Sequence, residues 1–164
     1  MENTMQAIQQ THWTNLTAEQ QAQLKALLLE ADPSWEHIST YLFDAKIFVV
    51  CTVENECIAQ LCLLENHDQA EIKNLTVADA FQGQGIAKAL IRHAIAYAKQ
   101  RSTASIIVKT GNSSLDQLAL YQKCGFRMSH IEVDVFKDYP EAIYEHGIRC
   151  LDQVVLMIQL SQAE

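Results

Sequence analysis

The chain has 164 residues, of which 49% are hydrophobic and 20% are charged, as in a globular protein rather than a disordered one. This length predicts a single α/β domain over residues 1–164, with enough apolar residues for a substantial core. Twelve basic residues against 20 acidic ones give a net charge of −8. That balance argues against a nucleic-acid partner, because general nucleic-acid binders need a basic surface.

Membrane proteins and disulfide-rich secreted proteins are not expected either. No run approaches the ~20 apolar residues of a membrane span, and the polar N-terminus lacks the basic and apolar regions of a signal peptide. A cytoplasmic location with no membrane partner is therefore expected. The five cysteines include no Cys-x-x-Cys pair, so we expect neither a disulfide framework nor a metal site.

The N-terminal region predicts a weak first strand over Thr4–Gln9, followed by two helices. Thr17 and Gln20 have the spacing of a capping box, in which each side chain bonds the backbone N–H of the other residue. A second, short helix is expected to begin after Asp32 or Ser34.

Three strands follow in the sequence, and the first two form a predicted hairpin: Ala45–Val53, Cys57–Leu64 and Ala70–Val77. Side chains of a regular strand alternate between its two faces. In the third strand, the apolar residues Ile72, Leu75 and Val77 break this alternation by one residue. The break predicts a β-bulge near Lys73-Asn74, which frees backbone groups to pair with another extended molecule.

A glycine-rich turn, Gln82–Ala87, leads directly into a helix with apolar residues at helical spacing. Such a turn exposes backbone N–H groups at the positive end of the helix dipole, where a phosphate can bind. A P-loop would require Gly-Lys-Ser/Thr at its end, which is absent after Gly85. A dinucleotide-binding fingerprint would require a third glycine, where Lys88 stands.

The remaining elements are a buried strand over Ala104–Thr110, a helix that contains Tyr121 and stops at Gly125, and two further strands. The first of these two is predicted from the apolar residues Ile131, Val133 and Val135, and the last is Val154–Leu160.

Two blocks of sequence together resemble the Gcn5-related N-acetyltransferases, the GNAT family. Gln82–Ala87 matches the pattern Gln/Arg-x-x-Gly-x-Gly/Ala, and Asn112 followed by Leu120-Tyr121-Gln122-Lys123-Cys124-Gly125-Phe126 resembles the family's N…LYxKxGF segment. The resemblance implies a mixed, mostly antiparallel sheet of six to seven strands with helices on both faces. It also implies a splay between the strands at 70–77 and 104–110.

The resemblance further implies acetyl-CoA as the acetyl donor, with no metal. The pyrophosphate would contact the backbone amides of Gln82, Gly83, Gln84, Gly85, Ile86 and Ala87. The pantetheine arm would pair with the backbone of Leu75 and Val77 and contact Asn112.

Tyr121 lies where members of the family place the general acid that protonates the leaving thiolate. Glu71 lies where some members carry a general base, and other members use a chain of waters. The resemblance therefore implies direct acetyl transfer to a primary amine in a ternary complex. The alternative is a non-catalytic acyl-CoA-binding sensor or interaction module on the same fold.

The resemblance implies a small-molecule or peptide amine as the acceptor. Aromatic rings and carboxylates together suit an ammonium group, and both occur in the stretch Lys137–Arg149. Candidate acceptor-binding residues are Trp35, Tyr139, Glu141, Tyr144 and Glu145. For Trp35, core packing is an equally good interpretation. The final strands often form dimer contacts in this family, so a homodimer is one expectation.

Overall fold

The computed structural model describes residues 5–160. Its strands are β1 (Gln9–Thr11), β2 (Lys46–Cys51), β3 (Cys57–Asn66), β4 (Gln69–Val77), β5 (Ser105–Gly111), β6 (Arg127–Glu132), β7 (Tyr144–Glu145), β8 (Ile148–Arg149) and β9 (Gln153–Gln159). Its α-helices are α1 (Ala18–Ala31), α2 (Trp35–Ser39), α3 (Ile86–Gln100) and α4 (Leu115–Lys123), with short 3-10 helices at Trp13–Asn15 and Asp79–Phe81.

Seven strands form one mixed sheet in the order β1-β2-β3-β4-β5-β9-β6, and β7 and β8 form a separate hairpin. The β4–β5 pair is parallel, and the other pairs described within residues 5–160 are antiparallel. The predicted α/β class and the mostly antiparallel sheet of six to seven strands are therefore confirmed.

Helices cover both faces of the sheet, as predicted, and each face has its own core. On one face, Leu90 and Ile91 of α3 pack with Ile106 and Leu156 of the sheet, and all four side chains are fully buried. On the other face, Leu24 and Leu28 of α1 and Ile38 of α2 pack against β2. The sheet is thus apolar on both sides, which explains why β2 and β3 are nearly continuous apolar runs.

The predicted β-bulge is present in β4 at Lys73. Asn74 pairs with Cys62 and Ile72 pairs with Leu63, so Lys73 is the extra residue between two adjacent partners on β3. The bulge reverses the faces of the residues that follow it. Ile72, Leu75 and Val77 consequently all contact the core beneath α3, although their spacing in the sequence is odd.

The sheet opens directly after this bulge. β4 and β5 pair from Gln69 and Ser105 only as far as Ile72 and Val108. Residues 73–77 and 109–111 continue beyond this ladder, and the two strands diverge there. The predicted splay is confirmed.

Two predicted strands differ from the structure by more than two residues, whereas the others differ by one or two at an end. The expected first strand, Thr4–Gln9, is wrong: β1 spans Gln9–Thr11, Met5 forms an isolated bridge to Thr52, and Thr4 lies outside the described residues. The strand predicted from Ile131, Val133 and Val135 ends at Glu132, because the chain turns there to reach the β7–β8 hairpin. Val133 is 72% exposed, so the apolar alternation does not mark a buried face.

The capping box of α1 is confirmed by two hydrogen bonds. The backbone N–H of Gln20 donates to the Thr17 hydroxyl at 3.2 Å, and the backbone N–H of Thr17 donates to the Gln20 side chain at 3.0 Å. The second helix begins after Ser34, whose hydroxyl accepts from the backbone N–H of His37. Of the two predicted caps, Ser34 is thus the one used for α2.

We expect Thr17→Ala to lower the free energy of unfolding by about 1 kcal/mol, because one N–H at the start of α1 loses its acceptor. For a domain of this size, the melting temperature falls by roughly 2–4 °C. Thermal unfolding followed by circular dichroism measures the shift. Thr14→Ala, at an exposed position before the helix, is the matched control and should leave the melting temperature within 1–2 °C or so; equal shifts in both variants would contradict the role of the cap.

Candidate active site

The turn between the 3-10 helix Asp79–Phe81 and α3 is built around two glycines in the left-handed region. Gly83 has φ +75° and Gly85 has φ +81°, and no atom lies within 4 Å of the position that a Cβ would take at either residue. The first hydrogen bond of α3 runs from the N–H of Ala89 to the carbonyl of Gly85 at 3.0 Å. The N–H groups before Ala89 therefore precede the helical ladder and face an open cleft.

The side chain of Gln82 closes the turn onto the preceding strand. Its Nε2 donates to the carbonyl of Val77 and to the carboxylate of Asp79, each at 3.0 Å. Gln82 thus fixes the turn against the end of β4, and its own backbone is exposed beside the glycines. This explains why a long amide side chain precedes the glycine pair.

The turn forms one wall of a cleft of about 410 Å³, which we call the donor cleft. The other walls come from the end of β4, through Leu75 and Val77, and from α4. The charged residues of its lining are Lys88 and Asp116. Backbone N–H groups at a helix start, together with a lysine ammonium, suit a phosphate-bearing ligand. The structure thus brings the predicted donor residues Leu75, Val77, Gly83, Gly85, Ile86, Ala87 and Gln82 into one cleft.

Gln84 is placed differently from the other residues of the turn. It contributes to a shallower depression of about 380 Å³ on the side of the turn that faces residues 5–8 and Val50. Its backbone still belongs to the turn, but the residue is outside the described lining of the donor cleft.

A second cavity of about 420 Å³ lies where β4 and β5 diverge, and we call it the splay cavity. It extends from Ile72 and Val108, the last paired residues, to α4 and to Glu30 near the end of α1. Leu75 and Gln117 line both the donor cleft and the splay cavity. The two cavities therefore adjoin through the opening in the sheet.

Tyr121 lies at the wall of the splay cavity and is 4% exposed. Its ring packs edge-on against Phe126, with the ring centroids 5.7 Å apart. Within residues 5–160 its hydroxyl has no hydrogen-bond partner, yet no fully buried side-chain N or O atom lacks one. The hydroxyl oxygen must therefore reach the cavity. Burial raises the pKa of Tyr121 above its usual value, so this hydroxyl stays protonated.

The residue pattern around Tyr121 is explained by the end of α4. Gly125 has φ +99°, and the N–H of Phe126 donates to the carbonyl of Tyr121 at 3.1 Å. This glycine-terminated end turns the chain back so that Phe126 packs under the tyrosine ring. The predicted stop at Gly125 is confirmed.

Glu71 is on the part of β4 that is still paired with β5, opposite Ile107. Its carboxylate forms an ion pair with Lys73 at 3.2 Å, and its side chain is 23% exposed. Lys73 lines the splay cavity, whereas Glu71 is outside the described lining of both cavities. Glu71 is thus linked to the splay cavity through its ion pair with Lys73. Its role as a base stays a prediction.

Asn112 follows β5 and bonds to the segment before β9. Its Oδ1 accepts from the N–H of Leu151 and of Asp152 at 2.9 and 3.0 Å, and its Nδ2 donates to the carbonyl of Arg149 at 3.1 Å. In the structure this amide therefore connects two segments at the end of the splay. Its predicted contact with a pantetheine arm stays a prediction, with one N–H left to make it.

The five predicted acceptor residues lie in three different places. Glu145 lines the splay cavity with Tyr121. Trp35 instead packs against Trp13, with ring centroids 5.8 Å apart, and lies partly buried against the core beneath α1 and α2. Tyr139, Glu141 and Tyr144 are exposed on the segment around the β7–β8 hairpin, outside the described cavity lining.

Several residues of the two cavities were not identified from the sequence: Glu30, Lys88, Lys109, Ser114 and Gln117. Lys88 stands directly after the glycine turn. Its place in the first turn of α3 could have identified it as a cleft residue. Glu30 had no local signal, because it reaches the cavity only through the packing of α1 on the sheet. No cluster of three or more potential metal ligands occurs within residues 5–160, and no helix in that range is long and apolar enough to cross a membrane.

The opened sheet, with a glycine turn at the head of α3, is the architecture of an acetyltransferase. Residues 6–126 match the Acetyltransferase (GNAT) family, and the chain belongs to this family. The resemblance to this family noted in the sequence is thereby confirmed, and so is the prediction that the protein is an N-acetyltransferase by class.

Three similar proteins illustrate the family. The chain is 38% identical over 139 residues to the "Uncharacterized N-acetyltransferase YvbK" of Bacillus subtilis. The aligned residues cover 84% of this chain and 90% of the relative. An IAA acetyltransferase from Bacillus cereus has a TM-score of 0.82 and 41% identity, covering 94% of this chain and 99% of that one. A GNAT family acetyltransferase from Elizabethkingia anophelis, solved with acetyl-CoA bound, has a TM-score of 0.83 and 37% identity over 97% and 100% of the two chains.

Proposed function

We propose that the protein transfers an acetyl group from acetyl-CoA to a primary amine by direct attack in a ternary complex. The observation that carries this proposal is the junction of the two cavities at Leu75 and Gln117. A donor in the cleft beside the glycine turn and an amine in the splay cavity would meet at that junction. Holding both reactants in one orientation contributes much of the rate enhancement in such reactions.

The donor cleft provides the contacts that a CoA group requires. The backbone of Gly83–Ala87 and the ammonium of Lys88 would bind the pyrophosphate, and the backbone of β4 beyond Ile72 would pair with the pantetheine arm. Acetyl-CoA bound to the related protein from Elizabethkingia anophelis supports this choice of donor. The residues present therefore fit the cofactor that the family implies.

The chemistry needs three proton transfers: the ammonium loses one proton before attack, the attacking nitrogen loses a second to solvent as the amide forms, and the thiolate gains one. The amine nitrogen attacks the thioester carbon, a C–N bond forms, and the C–S bond breaks to give a thiolate. The Tyr121 hydroxyl would donate its proton to that thiolate and recover one from solvent. A primary ammonium has a pKa near ~10.4, so neutralising it at pH 7 costs about 4–5 kcal/mol. Glu71 and a relay of waters are our two alternatives for the group that accepts this proton.

Binding and turnover together test the proposal. At an acetyl-CoA concentration of about 100 times Kd, the complex should be stabilised by ~2.7 kcal/mol, which raises the melting temperature by roughly 5–10 °C. Addition of an amine panel should then release free CoA, measured as new thiol. No binding of acetyl-CoA would contradict the proposal outright. Binding without amine-dependent release would instead support the non-catalytic sensor.

Two glycines offer a matched pair of variants for this test. Gly85→Asp places a carboxylate beside the predicted pyrophosphate, and Gly147→Asp places one in the β7–β8 turn, where φ is also positive at +74° and a Cβ also meets open space. Backbone strain is similar in the two variants. Only Gly85→Asp should weaken acetyl-CoA binding, by about tenfold or more, through charge repulsion.

A further inference from the structure

Within the described residues, only some of the charged side chains that line the splay cavity are paired with an opposite charge. Four charged side chains line it: Glu30, Lys73, Lys109 and Glu145. Each lysine is paired with a carboxylate outside the lining, Lys73 with Glu71 at 3.2 Å and Lys109 with Glu132 at 2.9 Å. Neither Glu30 nor Glu145 has a cationic partner within residues 5–160. The cavity and its nearest partners therefore hold two cations against four carboxylates.

Glu145 is held in place by hydroxyl groups. Its Oε1 accepts hydrogen bonds from Ser113 Oγ at 3.2 Å and from Ser114 Oγ at 3.1 Å. Ser113 is fully buried, so one of these donors is fixed by the protein core. Both bonds end on Oε1, and Oε2 accepts none from the described residues. The serines thus orient the carboxylate and leave one oxygen for a ligand, without neutralising its charge.

A second, independent observation indicates that a ligand enters this cavity. The Tyr121 side chain is more than nine-tenths buried, and its hydroxyl reaches the cavity with no partner in the described chain. The acidic residues and this hydroxyl belong to different elements, β7, α1 and α4. A polar ligand would therefore contact Glu145 on one side and the reacting centre near Tyr121 on the other.

The charge of the acceptor follows from this arrangement, given the function proposed above. The amine that attacks the thioester must be neutral, so it cannot compensate the carboxylates at the moment of reaction. We infer that Glu145 binds a second ammonium group of the acceptor, and that the acceptor is an aliphatic amine with two or more positive charges. Glu30, exposed at the cavity rim, adds to the attraction for such a cation. Glu145 is then a specificity-determining residue and not the proton acceptor.

The test compares two acceptors of equal length, the five-carbon diamine cadaverine and the five-carbon monoamine pentylamine. For the wild-type enzyme, kcat/KM should be at least about tenfold higher for the diamine, which corresponds to ~1.4 kcal/mol. This preference should appear mainly in KM and should decline as salt is added, because exposed and partly exposed charges are screened. Equal use of both amines, or a preference for the monoamine, would overturn the inference.

The variant Glu145→Gln tests whether this one residue causes the preference for the diamine. Glutamine keeps an oxygen that can accept from the two serines but removes the charge, so the diamine preference should fall by about tenfold. Glu36→Gln, at an exposed position in the first turn of α2, makes the same change in net charge and should keep the wild-type preference. The KM for acetyl-CoA and the melting temperature report whether each variant is folded.

The outcomes separate the two proposals. If acetyl-CoA binds but no amine in a broad panel releases CoA, the proposed acetyltransfer fails and the inference fails with it. If amines are acetylated and Glu145→Gln keeps the full diamine preference, only the inference is overturned. A loss of the preference in Glu145→Gln that arises from a higher KM for the diamine supports it.

Discussion

Tyr121→Phe is expected to lower kcat by about 100-fold or more, the usual contribution of a positioned general acid. The KM values for both substrates should change little, since the ring remains packed on Phe126. Stability should also be preserved, because the hydroxyl has no partner in the described chain that its removal would leave unsatisfied. The rate of CoA release at saturating concentrations of both substrates measures kcat.

The pH profile gives a second measurement of the same role. The pKa of Tyr121 is raised by burial, so the acid form persists above the usual value of about 10 for tyrosine. Wild-type kcat should therefore show no alkaline decline from Tyr121 between pH 7 and roughly pH 10. Tyr97→Phe removes another hydroxyl, one bonded to Glu65 at 3.3 Å, and should keep wild-type activity. Full activity in Tyr121→Phe would remove this tyrosine from the mechanism.

Asn74→Ala is expected to lower the free energy of unfolding by about 3 kcal/mol, through a buried polar network that joins α1 to β4. Asn74 is 5% exposed. Its Nδ2 donates to the Tyr41 hydroxyl and to the carbonyl of Leu28, each at 3.2 Å, and its Oδ1 accepts from Gln60. The variant leaves the buried side chains of Tyr41 and Gln60 without that partner and adds a small cavity.

The melting temperature of Asn74→Ala should fall by about 6–12 °C in a domain of this size. Circular dichroism or calorimetry measures the shift. Asn66→Ala, at the exposed end of β3, makes the same chemical change and should shift the melting temperature by less than about 2 °C. A small shift in Asn74→Ala would mean that water replaces the missing amide.

The features that the sequence predicted well are those encoded by neighbouring residues. The bulge at Lys73 follows from the spacing of Ile72 and Leu75, and the turn before α3 follows from two glycines that precede an amphipathic helix. The cap at Thr17 likewise depends on residues three positions apart. In each case the backbone conformation is determined locally, so one stretch of sequence is sufficient to predict it.

The residues that the sequence did not place depend on contacts between distant segments. Glu30 reaches the splay cavity because α1 packs on β4, which no spacing around Glu30 encodes. Asn112 lies in the predicted family block, yet its amide bonds to residues 149–152, which are brought near by β9. For Trp35, the sequence allowed either an acceptor contact or core packing, and the structure shows its ring packed on Trp13 with the Lys25 ammonium 4.4 Å from the ring centroid.

The divergence of β4 and β5 has a further consequence for where unpaired strand edges lie. An unpaired strand edge is a template for a strand from another chain and hence a site of aggregation. In this sheet, the facing sides of residues 73–77 and 109–111 form such an edge, but it lies in the interior of the sheet beside α4. On both sides of the opening this edge is continued by strands of the same sheet, so it does not lie at the outer border where a second sheet would dock. The opening that we propose for acetyl transfer therefore also keeps this edge away from other copies of the chain.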